Sequence, residues 1–147
     1  MALPTRLQFP EPYPPPGFLR TLARGSLRRM DSRLSIGVAQ FNAGRFFVAH
    51  EIWEALWDET VGPEKALLRG LVQIAAGYAK VESGVGSGAL KLLTRGVDQV
   101  RQFLPASLGL DLVELVDGVT ADIARLRAAP EVACSLDAVQ PPQLHLL

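Results

Sequence analysis

The sequence predicts an all-α protein, a single compact bundle of about five helices around a central antiparallel helical hairpin, with proline-rich extended arms. Three observations carry this expectation. Between residues 17 and 130, apolar residues recur at helical spacing and nowhere alternate over the length of a strand. The breaks between these stripes are short and rich in glycine and proline, which favours antiparallel neighbours. Prolines crowd both ends, with Pro4, Pro10, Pro12, Pro14, Pro15 and Pro16 at one and Pro141 and Pro142 at the other. Each proline fixes φ and removes a donor, so residues 1–16 and 131–147 read as extended arms flanking a helical domain, 17–130.

Within that domain, residues 17–29 read as a weak helix, spoiled by Gly25. Asp31 is the expected N-cap of a helix running to about Ala43 and stopped by Gly44. The next helix covers about Arg45 to Glu59, and Val61-Gly62-Pro63 turns the chain. Pro63 suits the first position of a helix reaching about Glu82. After Ser83-Gly84-Val85-Gly86, Ser87 is the expected cap of a helix to about Leu104, ended by Pro105. Asp111 and Glu114 resemble a capping box opening the last helix, whose stripe is Leu112, Val116, Val119, Ile123 and Leu126 before Pro130.

Composition limits the function classes. Hydrophobic residues make up 48% of the 147 positions and charged residues 20%, which excludes a wholly disordered chain. Fifteen basic side chains balance fifteen acidic ones, so a global electrostatic hold on nucleic acid or anionic membrane is not expected. Cys134 is the single cysteine, which excludes an intrachain disulfide and any multi-cysteine metal site. The apolar run from Ala66 to Ala79 contains Arg69 and Gln73 and is too short to span a bilayer. The expectation is a cytoplasmic protein with no membrane partner.

The chemistry-bearing stretch is Phe41 to Trp57. On a helical wheel at about 100° per residue, Trp57, Phe46 and Trp53 lie within about 60° of His50 on one side, Glu54 and Phe47 within about 60° on the other. His50 and Glu54 are thus expected one turn apart inside an aromatic arc, with Glu51 and Asp58 at its edge. An imidazole and a carboxylate shut in among rings would need each other or a third partner. Such a pair suits proton transfer, and His50 and Glu54 are the candidate catalytic residues. The alternative is a polar pair that only fixes helix packing.

Ala66, Gly70, Gln73 and Gly77 form a small-residue stripe on the following helix, which makes Gln73 the expected side chain to reach His50 or Glu54. Asn42, Glu51, Trp53 and Trp57 complete the candidate binding set. His50-Glu51-x-x-Glu54 lacks the second histidine of a zinc-protease helix, and His145 lies far along the chain, so no metal or other cofactor is expected. A divalent cation at His50 and Glu54 stays open.

These residues resemble the signature of domain of unknown function 309, a small all-helical prokaryotic family. Its Asn-x-Gly turn corresponds to Asn42 and Gly44, and its Ala-His-Glu-x-x-Glu-x-x-Trp helix to His50, Glu51, Glu54 and Trp57. Gly-Leu-x-Gln-x-Ala corresponds to Gly70, Leu71, Gln73 and Ala75, and the later Gly-Ala to Gly88 and Ala89. The resemblance spans about residues 38–104 and implies a helical fold with a polar cluster on the motif helix. It implies no established activity.

Two weaker signals are set aside. Gly84 to Gly88 lacks the preceding strand and the following Lys-Ser or Lys-Thr of a phosphate loop. Arg20, Arg24, Arg28, Arg29 and Arg33 read as a solvated basic face or as partners of Glu51, Asp58, Glu59 and Glu64. The leading functional expectation is a small-molecule site, with hydrolytic chemistry open. The alternative is a non-enzymatic structural or interaction module that binds a protein, and either could form a homo-oligomer.

Overall fold

The computed structural model describes residues 31–129 and 134–147, so the arm 1–16, the weak helix 17–29 and Pro130 lie outside the described residues. Among the described residues, five α-helices form: α1 (Ser32–Asn42), α2 (Phe46–Glu59), α3 (Glu64–Glu82), α4 (Gly86–Arg101) and α5 (Val113–Ala128). The all-α expectation holds.

Local signals explain most boundaries. Asp31 has extended backbone and its carboxylate accepts the Arg33 N–H at 2.8 Å, which satisfies one of the free donors opening α1. Gly44, at φ +82°, turns the chain out of α1 in a conformation that L side chains rarely adopt. Gly62, at φ +93°, and Pro63 make the α2–α3 turn. Two expectations need correction. α4 starts at Gly86 with Ser87 already inside it, and no side chain caps it. It also ends at Arg101, a turn before Leu104, because the residue ahead of a proline is pushed out of helical space.

The Asp111–Glu114 capping box does not form either. Asp111 accepts the Val113 N–H at 3.1 Å, but the Glu114 carboxylate turns away to His145 at 3.0 Å. Asp111 itself belongs to a small sheet that the sequence pattern did not announce. β1 (Ala106–Ser107) and β2 (Leu110–Asp111) form a hairpin through Leu108 and Gly109, both at positive φ, as a two-residue hairpin turn requires. β3 (His145–Leu146) adds to the other edge of β2, with Leu110 opposite Leu146. Strands of two residues are too short to alternate.

α3 lies between α2 and α4. Its seam with α4 brings backbone against backbone. A Cβ on Gly70 would stand 2.9 Å from the Gly96 carbonyl oxygen, and one on Gly96 2.8 Å from that of Gly70. Only hydrogen at both positions allows the backbones this close. On the other side of α3, Phe41, Phe46, Trp53 and Tyr78 pack ring to ring at centroid distances of 5.1–6.0 Å. The α5 stripe of Leu112, Val116, Val119, Ile123 and Leu126 is buried against the same core.

Candidate functional site

α2 presents its motif side chains in three directions. Trp53 points inward: it is 1% exposed, its Nε1 donates to the Leu34 carbonyl at 3.2 Å, and its indole lies where a side chain on Gly37 would have to go. Trp57, one turn on, is half-buried with the Lys65 ammonium 4.6 Å from its ring centroid. His50 lies at the edge of the core, its ring 5.5 Å from that of Phe47. Its Nε2 stands 3.6 Å from Glu54 Oε1, too far for a hydrogen bond, and its Nδ1 is buried without a partner.

The expected enclosure of the His50–Glu54 pair therefore fails at the acid. The Glu54 side chain is 53% exposed and that of His50 21%. The core-facing direction of α2 is set by Ala49, Ile52 and Leu56, roughly 100–160° around the wheel from His50. The aromatic arc was real in angle, but its Trp57 end turns toward solvent.

Gln73 does not join this pair. It shares a flank of α3 with Gly70 and Gly77, within about 60° on the wheel. That flank faces α4, where Leu93, Gly96 and Val100 meet the two glycines. Gln73 Oε1 is buried and has no hydrogen-bond partner, so it makes no bond to His50 or Glu54. The small-residue stripe serves the α3–α4 seam and not the α2–α3 hairpin.

Asn42 is committed elsewhere. Its Nδ2 donates to the Leu144 carbonyl and its Oδ1 accepts the Leu144 N–H, both at 2.8 Å, an amide paired with a main chain 102 positions away. Glu51 is half-buried and Asp58 exposed. Among the described residues, no group of three or more His, Cys, Asp or Glu side chains is arranged to hold a metal ion. No helix among them is long and apolar enough to cross a membrane.

One charged centre was not anticipated. Asp122 is wholly buried, accepting from Tyr78 Oη and Arg125 at 2.6 Å and from the Gln140 N–H at 2.8 Å. Burial, then the bond to Asp122, pushes the Tyr78 phenol far above its usual range. The sequence signal was a lone acid inside the apolar stripe of α5, between Val119 and Ile123. Arg33, expected either on a solvated face or paired with the acids of the motif region, takes the second course: it is 1% exposed and bridges Asp31 at 3.3 Å and Glu59 at 3.1 Å, which ties the start of α1 to the end of α2. Burial works against its charge, but the bonds to those carboxylates raise its pKa on balance.

With this geometry in hand, residues 34–92 match the model of a family described as "Domain of unknown function (DUF309)". No curated protein matches the chain.

Proposed function

We propose, from the premise that residues 34–92 form a domain of the DUF309 family, that the protein is a non-enzymatic structural and interaction module. The observation that carries this reading is the dispersal of the motif side chains. Asn42 and Trp53 bond main chain, Gln73 sits on the α4 flank, and Glu54 faces solvent. A general acid or base must come within about 2.6–3.2 Å, or one water, of the proton it moves, and side chains dispersed in this way do not converge on one reacting group. Residues that clamp main chain instead build a rigid scaffold with defined surfaces.

The test is turnover of chromogenic ester and phosphoester probes, p-nitrophenyl acetate and p-nitrophenyl phosphate. The module reading expects the same rate for the native chain, His50→Ala and Glu54→Gln. A rate above background that falls about tenfold or more in both variants overturns it.

One observation favours a second reading, a small-molecule site at His50. The buried Nδ1 has no partner, and a native core rarely strands such an atom. A small turn of the ring would bring that nitrogen to a ligand's hydrogen-bonding group, with Glu54 and Trp57 at the rim. The nuclear magnetic resonance signals of the His50 imidazole, followed while acetamide and ethylammonium are titrated, decide this reading. A saturable shift absent in Glu54→Gln supports it, and an unmoved resonance removes it.

A further inference from the structure

Residues 139–146 lie against α1, α5 and β2 in a manner that simple apolar packing does not require. Val139, Pro142 and Leu144 are buried, while Gln140 and Gln143 between them are exposed. The main chain is read group by group. Asp122 accepts the Gln140 N–H, Asn42 takes both the N–H and the carbonyl of Leu144, and β2 pairs with His145 and Leu146. Gln143 Nε2 adds a bond to the Asn42 carbonyl at 3.3 Å. Pro142 lies so close to α5 that a Cβ on Gly118 would stand 2.5 Å from its own Cβ. Side-chain clamps on main chain, a β-edge and spaced apolar anchors are the means by which grooves hold extended peptides.

Part of the polar lining is held independently of this segment. Asp122 retains Tyr78 and Arg125 when Gln140 leaves, so no buried charge is stranded. Asn42 sits at a helix end where water can replace Leu144. Removing the segment would leave these polar groups beside the apolar surface that Val139 and Leu144 now cover.

We propose that this cleft is a receptor for extended peptide segments of a partner protein with an aliphatic-x-x-Pro-x-Leu pattern, and that residues 139–146 occupy it in cis as a competitor. The inference rests on the module reading and names its partner class. The anchors set the pattern: an aliphatic side chain at the Val139 place, proline over Gly118 and leucine beside Asn42. Because the resident segment competes, a peptide in trans binds the native chain more weakly than a chain whose segment is released.

The experiment is fluorescence anisotropy of a labelled synthetic peptide with the sequence of residues 138–147. It is titrated with the full native chain and with Leu144→Asp, which spoils the resident anchor. Leu144→Asp is expected to bind saturably and at least about tenfold more tightly than the native chain. Adding Asn42→Ala to Leu144→Asp is expected to weaken binding about tenfold. If Leu144→Asp fails to fold by circular dichroism, Leu144→Ala replaces it, since it removes most of the same anchor without burying a charge. No binding to the folded released chain at up to about 100 μM overturns the proposal, as does binding indifferent to Asn42→Ala. So does a concentration-dependent dimer of the native chain with no peptide binding, which would assign the cleft to a second copy. None of these results touches the turnover assay, so the module reading stands or falls separately.

Discussion

Gly96→Ala and Gly88→Ala place the same methyl group on the same helix with opposite expected outcomes. At Gly96 the new Cβ would stand 2.7 Å from Ile74 Cγ1, 2.8 Å from the Gly70 carbonyl oxygen and 2.9 Å from the Ile74 nitrogen. Two of these atoms are backbone of α3, which cannot step aside without moving the helix. Overpacking of this kind costs about 1–3 kcal/mol, the upper part of that range applying where backbone is met. Alanine recovers about 1 kcal/mol of helix propensity, leaving a net loss of about 1–2 kcal/mol. At Gly88 the nearest atoms are Val85 Cγ1 at 3.3 Å and Lys80 Cδ at 3.7 Å, both on side chains with room to move. There the propensity gain wins, by somewhat less than about 1 kcal/mol. For a chain of this size, calorimetry should show Gly96→Ala melting about 2–8 °C lower and Gly88→Ala about 1–3 °C higher. Gly96→Ala at or above the native melting temperature would refute the reading of α3–α4 as a backbone-to-backbone seam.

Three further outcomes follow from the same geometry. Asn42→Ala removes both bonds to Leu144 and should destabilise the fold by about 1–3 kcal/mol, with the Leu144 amide losing most of its hydrogen-exchange protection. Tyr78→Phe should change how stability responds to alkali. The buried phenol keeps its proton when the unfolded chain, with an ordinary tyrosine value near 10, releases its own. Above pH ~10 the folded state thus binds more protons and its stability falls with rising pH; urea melts at pH 8 and pH 11 should show a smaller fall for Tyr78→Phe than for the native chain. Glu54→Gln should move stability by less than about 0.5 kcal/mol, because the carboxylate is half exposed and 3.6 Å from His50. A larger loss in chemical denaturation would show that the pair holds the helix.

What could be read from the sequence divides by range. The Asp31 cap, the Gly44 stop and the α5 stripe depend on residues within a few positions of each other, and each appears where local chemistry puts it. The site depended on direction. A wheel fixes angles between side chains of one helix but not which angle faces the core, so Trp53 went in while Glu54, within about 100° of it, went out. The glycine stripe likewise announced a close approach without naming its partner, and α4 filled the place assigned to α2. Asn42 met Leu144 across nearly the whole described chain, a pairing to which no spacing rule points.

Tyr78 and Asn42 offer a way to ask whether residues 139–146 are held as one unit. Tyr78 Oη fixes the carboxylate that accepts the Gln140 N–H, and Asn42 fixes Leu144, so the two side chains grip the segment at different points without touching each other. Were the grips independent, the losses from Tyr78→Phe and Asn42→Ala would add within about 0.3–0.5 kcal/mol. A segment that docks or lifts as a whole loses both contacts together. The second substitution then costs less once the first has freed the segment, and the double mutant should fall short of the sum by about 0.5 kcal/mol or more. Strict additivity in urea melts would mean that the segment frays piecemeal. A cleft held that way would release its Leu144 end while keeping its Gln140 end, and a competing peptide would have to displace two separate contacts.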